Sequence, residues 1–394
     1  MSGTNNKIKL SVIIPVYNME ADRKLRRCLD SLLMQEGFYV DSDSFLMSEA
    51  FHNETEALTT QEHICDVTGA CEDQVQGWHY EIIAVDDAST DGSVAILREY
   101  ERRYPTIMRV LPQAVNRRQG AAKNVGLDAA VGEWVGFVDS DDYVAPDFYR
   151  LLLQRAQVTG ADVVGCDFQM VDRQSSDSGQ VVCINTQDQT GVLDEAKHKK
   201  LVVRPGSMVP KIYLRNVLLE NHLRFPEGIL YEDNCAGPVF SLYFKQFERV
   251  EKPLYYYVQY SQSTVHHVTW DNCVDRMRAC DCMKQEFIDR GFDQQYLVEL
   301  EYRFTELFYI NTLFSYMQGV KHPKSRHTAL LRKRILQEYP HFADNPYYHK
   351  WTSEEYDRMV KLHCRSNLRF YWYYRLVLTV RAVKKKIRSK KEVQ

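Results

Sequence analysis

The chain is predicted to be an α/β protein, a Rossmann-like, mostly parallel central sheet with flanking helices, followed by a C-terminal helical region. Three observations predict it. Over the first 170 residues, short apolar runs rich in β-branched residues alternate with segments whose apolar residues recur at helical spacing. Three of those runs end in polar clusters: Tyr17-Asn18, Asp86-Asp87 and Asp139-Ser140-Asp141-Asp142. From Trp270 onward the sequence reads almost wholly helical. The 394 residues also exceed the roughly 250–300 at which a single core stops growing, so a second unit is expected.

Leu10–Val16 is a buried strand by its continuous apolar run, and Lys24–Met34 a helix by the spacing of Leu25, Cys28, Leu29, Leu32 and Leu33. Glu81–Val85, Ile107–Leu111, Trp134–Val138 and Ala161–Cys166 are the next strands. Asp91–Arg103, Ala121–Val131 and Pro146–Val158 are the intervening helices. Ser89 or Thr90 can cap the first of these, with Asp91 at its positive end. Beyond Phe168 the pattern loosens: Lys211–Asn221 reads as a helix and Val250–Val258 as a strand. Arg276–Arg290, Tyr296–Met317, Ala329–Glu338 and Ser353–Cys364 read as helices. The boundaries drawn are a first domain over 1–265, a helical domain over 266–366 and a basic, aromatic tail helix over 367–394. Residues 36–78 interrupt the first domain with an acidic, polar insertion, either a tolerated surface loop or a functional one.

The formal net charge is −3, but Lys361–Gln394 holds eleven Lys/Arg and one acid, so the body carries −13. An acidic body argues against nucleic-acid recognition, and a basic tail points to an anionic surface. The N-terminus has no signal-peptide pattern, no run of about 20 apolar residues appears, and the ten cysteines form no C-x-x-C pair. Reduced thiols in a cytoplasmic protein are expected.

In a parallel sheet, ligands bind beyond the carboxyl ends of the strands, which is where the three polar clusters fall. Carboxylates two residues apart, as Asp139 and Asp141 are, can face one ligand. A hard cation such as Mg2+ or Mn2+ takes oxygen ligands and shares them with phosphates. Taken alone, such an acidic turn is common.

Four segments occur in order: Leu10–Asn18, Glu81–Asp91 (E-I-I-A-V-D-D-A-S-T-D), Asn116–Gly126 (N-R-R-Q-G-A-A-K-N-V-G) and Gly132–Tyr143 (G-E-W-V-G-F-V-D-S-D-D-Y). Together they resemble glycosyltransferase family 2, with its GT-A fold, of the kind that builds bacterial cell-surface glycans. The resemblance is strong over residues 7–170 and weaker to about 265. It implies that Pro15, Tyr17 and Asn18 line the base and ribose of a nucleotide. It implies that Asp86 and Asp87 read the base, and that Lys123, where the family more often has Arg, lies near the phosphates. Asp139 and Ser140 are implied beside the ribose. Asp141, with Asp139, is implied as the ligand of Mg2+ or Mn2+, and His266 as a further metal contact. Within Gly228–Asn234, Asp233 is implied as the base that takes the acceptor proton, with Glu232 beside it.

The expected activity is therefore a metal-assisted, inverting, single displacement from a UDP-sugar to a hydroxyl of a glycan or lipid-linked acceptor. The alternative is a non-catalytic, nucleotide-sugar-binding or scaffold member of a polysaccharide assembly complex. A Q-x-x-R-W motif and membrane helices, which polymerising members carry, are absent from the sequence. The tail joins an aromatic stretch, Phe370–Tyr374, to a polybasic run. It reads either as an interfacial helix on the inner leaflet of the plasma membrane or as a core-docked helix with a solvated end.

Overall fold

The computed structural model describes residues 8–38, 77–172, 179–260 and 268–391. Among these, β1 (Ile8–Val16) lies inside a ten-stranded mixed sheet. β2 (His79–Asp86) and β3 (Met108–Pro112) add in parallel on one side and β4 (Trp134–Phe137) in parallel on the other. β5 (Tyr143–Val144), β6 (Val163–Asp172), β7 (Val181–Val182), β8 (Gly191–Val192), β9 (Lys211–Leu214) and β10 (Gln246–Gln259) complete it. The main order is β3-β2-β1-β4-β9-β6-β10-β5. β9 runs antiparallel between β4 and β6, whereas β6 and β10 run parallel to each other.

The sheet is buried on both faces, as continuous apolar strands require. Leu10, Val12, Ile14 and Val16 of β1 pack on one side with α1 (Lys24–Leu33), α2 (Ser93–Arg103) and α4 (Phe148–Thr159). Ile13 faces the other side, toward α3 (Arg118–Ala129). Two glycines let α3 lie close. A Cβ on Gly126 would stand 2.4 Å from Ile13 Cγ2, and one on Gly120 would stand 2.0 Å from the Pro226 carbonyl oxygen.

α5 (Glu195–Val203), α6 (Arg215–Glu220) and α7 (Glu232–Ser241) follow. The C-terminal part comprises α8 (Trp270–Asp289), α9 (Leu297–Phe304), a π-helical stretch (Thr305–Asn311), α10 (Thr312–Gly319), α11 (Ser325–Glu338), α12 (Pro346–Trp351), α13 (Glu354–Arg365) and α14 (Asn367–Lys391). One apolar cluster runs from Ile13, Ile83 and Phe137 through α7 into these helices. The helical part thus shares a core with the sheet.

One element differs from its sequence reading. Lys211–Leu214 is a strand, and only Arg215–Glu220 is helical. A run as short as K-I-Y-L has no decisive period, and pairing between β4 and β6 fixes it as a strand. The insertion over 36–78 touches the described fold at its edges, where Phe38 bridges to Trp78. Residues 39–76 lie outside the described residues.

Candidate active site

The parallel register places three strand ends side by side. Val16 pairs with Asp86, and Ile13 pairs with Phe137, two residues before Asp139. The chain leaving these ends forms the floor of a 420 Å3 cleft. Its lining includes Pro15, Tyr17, Asp87, Lys123, Asp139, Ser140, Asp141, Glu232 and Asp233.

Two residues of the sequence-predicted set hold the rim and do not line the cleft. Asp86 is buried, and its carboxylate accepts the Ser89 N–H at 3.2 Å. Asn18, at φ 53°, accepts the Thr90 N–H at 2.8 Å and donates its own N–H to Ser89 Oγ. Asp86 fixes the turn after β2 from within, and Asn18 ties that turn to the end of β1, as Asx side chains do. His266, with Ser261–His267, lies outside the described residues.

Asp87 points to α3. Its Oδ1 accepts the Arg117 N–H at 2.7 Å and Gln113 Nε2 at 3.0 Å. Burial raises its pKa, and the backbone N–H groups of Arg117 and Arg118 oppose the rise. One oxygen of Asp87 is thereby committed to the protein.

Lys123 comes from the inner face of α3 and Glu232 from the first turn of α7. Lys123 Nζ donates to Glu232 Oε1 at 2.7 Å, and both side chains are buried. Burial alone would lower the lysine pKa, but Glu232 and then Asp139 raise it, so the ammonium stays charged. The segment before α7 is strapped to α3 as well: the Phe225 N–H donates to Asn124 Oδ1, and the Gly228 N–H to the Arg117 carbonyl, each at 2.9 Å. Tyr231 precedes α7 with φ 65°, a strained value for a residue with a Cβ, and aims the next two acids into the cleft. Arg276 stacks on its ring at 4.6 Å.

Asp139 is the electrostatic centre. Its carboxyl is pushed up to about 6, first by burial and then by Asp141, Glu232 and Asp233, with Lys123 opposing. Its Oδ1 is buried and has no hydrogen-bond partner among the described residues. Asp141 is also raised by burial and is opposed by Lys24 and Arg27. Asp142 has a different role: it accepts Tyr255 Oη at 2.7 Å and the Val258 N–H at 2.9 Å, which locks the acidic turn to β10. Asp233 is exposed, facing both the cleft and the depression beside it. Desolvation by the surrounding protein and then Glu232 raise its pKa, and Lys123 and Arg303 lower it.

An unpaired buried carboxylate oxygen on Asp139, with Asp141 two residues on, suits a hard cation that draws further ligands from phosphate and water. Among the described residues, no three His, Cys, Asp or Glu side chains gather closely enough to hold a metal by themselves. A cation held by Asp139 and Asp141 would need further ligands from outside these side chains.

Several lining residues carried no signal in the sequence. Lys24 lies 3.7 Å over the Tyr260 ring, and Arg27 donates to Tyr260 Oη at 2.8 Å. Tyr257, Ser207 and Met208 line the cleft from β10 and from the segment before β9. A second depression, of 440 Å3, meets the cleft at Tyr231 and Asp233 and is lined by Arg276, Asn311, Ser315 and Gln318. The spacing of isolated polar residues on later helices could not have found it.

Residues 50–209 match the family described as "Glycosyl transferase family 2". The chain is 28% identical over 267 residues to the uncharacterized glycosyltransferase YibD of Escherichia coli, covering 67% of this chain and 64% of YibD. It is 28% identical over 223 residues to a poly(ribitol-phosphate) beta-glucosyltransferase of Bacillus spizizenii, covering 56% of this chain and 27% of that protein. The chain thus spans less than two thirds of either relative. The solved structure of S. aureus TarS residues 1–349 with UDP-GlcNAc superposes with a TM-score of 0.53 at 19% identity, covering 88% of this chain and 93% of that one. Order of strands, position of the cleft and these likenesses agree: over residues 50–209 the chain matches glycosyltransferase family 2, and its fold is GT-A-like.

Proposed function

We propose that the chain transfers a sugar from a UDP-sugar to a hydroxyl of a cell-surface glycan or lipid-linked acceptor, with inversion. The observation that carries this reading is the meeting of Asp87, Asp139, Asp141, Lys123 and Asp233 in one cleft. The nucleotide lies over Pro15 and Tyr17, with Asp87 facing the base and Asp139 and Ser140 the ribose. UDP is the nucleotide to test first, because a protein of this fold was solved with UDP-GlcNAc. A surface-glycan acceptor is in keeping with the names of relatives such as the poly(ribitol-phosphate) beta-glucosyltransferase.

Asp233 accepts the proton of the acceptor hydroxyl, whose oxygen bonds to the anomeric carbon as the bond to the diphosphate oxygen breaks. Attack from the face opposite the leaving group inverts that carbon. A raised carboxylate pKa suits a base whose proton transfer accompanies bond cleavage. Lys123 holds Glu232, and through it the start of α7, so that Asp233 keeps its place. Asp139 and Asp141 would hold Mg2+ or Mn2+, which supplies positive charge for the leaving diphosphate. The acceptor enters through the depression beyond Asp233, where Arg276, Asn311, Ser315 and Gln318 offer hydrogen-bonding groups. Because nucleotide sugars are made in the cytoplasm, we place the reaction there.

Asp233→Asn tests the reading. The expected result is loss of transfer and of slow UDP-sugar hydrolysis, with UDP affinity by calorimetry unchanged. An active Asn variant removes Asp233 from the base role.

A further inference from the structure

Among the described residues no helix is long and apolar enough to cross a membrane. α14 nevertheless has two apolar faces, and the fold uses one. Phe370, Tyr371 and Tyr374 are buried, and Leu378 packs beside them. Tyr371 Oη donates to the Pro323 carbonyl, and Tyr374 Oη accepts Gln318 Nε2, each at 2.7 Å. Arg381 pairs with Glu355 of α13.

Among the described residues, none covers the opposite face. Leu368, Trp372, Leu376, Val380 and Val383 are 61%, 66%, 61%, 44% and 51% exposed, and Tyr373 is 48% exposed. At 3.6 residues per turn these six fall within a stripe about 140° wide. A solvated tail would place polar residues there. The helix also carries nine Lys/Arg and no acid. Arg369 lies within the stripe and Lys384 at its edge, both exposed. Their long stems allow the charges to reach headgroups while the apolar side chains are immersed.

We propose that α14 is an interfacial helix that seats the protein on an anionic lipid surface, with the Leu368–Val383 stripe among the acyl chains and the basic end on the headgroups. A second copy of this chain is a poorer occupant, since pairing along α14 would bring two sets of nine positive charges together. The docked face adds a consequence. Tyr374 touches Gln318 and Phe314, which line the depression beyond Asp233, so the helix holds that opening beside the lipid. The lipid contact itself does not depend on the proposed reaction.

The test is flotation of the full chain with extruded vesicles, of phosphatidylcholine alone or with about one third phosphatidylglycerol. The expected result is co-flotation with the anionic vesicles, weakened at least about tenfold by the Trp372→Glu/Leu376→Glu pair and lost near ~1 M salt. Thermal melting of the variant should match the wild type, because both positions are exposed. Failure of the wild type to float, or equal flotation of the variant, overturns the proposal. So does a wild-type dimer in sedimentation equilibrium that the variant abolishes while vesicle binding persists. UDP affinity measured on the same samples reports on the catalytic reading separately.

Discussion

Lys123 and Glu232, 109 residues apart in sequence, form a buried ion pair at 2.7 Å that joins α3 to α7. Removing one member of such a pair leaves an uncompensated charge in a dry place, which typically costs about 3–5 kcal/mol. Lys123→Met is therefore expected to lower stability by about 3 kcal/mol. The Lys123→Met/Glu232→Met double variant is expected to recover most of the loss. Urea midpoints of the three proteins check this, and equal losses in the single and double variants would refute it.

Asp139 keeps a carboxyl where burial disfavours its charge, so its contribution to stability changes with pH. Its folded pKa, about 6, stands above the ordinary 3.8. The native state therefore holds the proton more tightly, and stability falls as pH rises from 3.8 through about 6. Asp139→Asn is expected to remove that fall and to stabilise the free protein by about 1–2 kcal/mol at pH 8. A wild type and variant with parallel stability profiles between pH 4 and 8 would contradict it. A group kept at such a disadvantage is expected where a cation or ribose is to be bound.

Asp141 is raised by burial and opposed by Lys24 and Arg27. If it shares a cation with a bound diphosphate, Asp141→Ala loses metal-dependent affinity and little else. Calorimetric titration with UDP in the presence of Mn2+ is expected to weaken at least about tenfold, with titration in EDTA unchanged. Equal affinities with Mn2+ would take Asp141 out of the metal role.

How much of this was legible depends on the range of each interaction. The strand ends were readable, because β-branched runs followed by acids announce themselves locally, and parallel pairing then brings Pro15, Asp87 and Asp139 to one edge. Asp233 was found only through the resemblance, since one Glu-Asp pair has no distinctive spacing. The sequence separated Asp86 from Asp142 poorly. Asp86 accepts the N–H of Ser89, three residues on, whereas Asp142 is held by Tyr255 and Val258 on a distant strand. Lys24, Tyr260 and the depression around Arg276 were invisible because they meet the cleft only through tertiary packing. Of the tail's two readings, only docking is visible in the fold: Phe370 and Tyr374 are buried, a contact that composition alone could not place, whereas lipid contact by the exposed face is a proposal.

Lys211, which the sequence places in a helix, lies on β9 as a fully enclosed amine. Nζ donates to the Pro205 carbonyl at 2.7 Å and sits 5.1 Å from the centre of the Phe247 ring. Burial lowers its pKa to about 7, from 10.5. The unfolded chain therefore binds a proton that the native state releases, and stability rises with pH between about 7 and 10.5. Lys211→Met keeps the stem and the contact with Phe247 while removing the charge. It is expected to stabilise the protein at neutral pH by about 1–3 kcal/mol, less the hydrogen bond to Pro205, and to flatten the rise toward alkaline pH. Urea midpoints at pH 7 and 9.5 decide the matter: a steeper wild-type profile supports the buried amine, and identical slopes would mean that Lys211 reaches water.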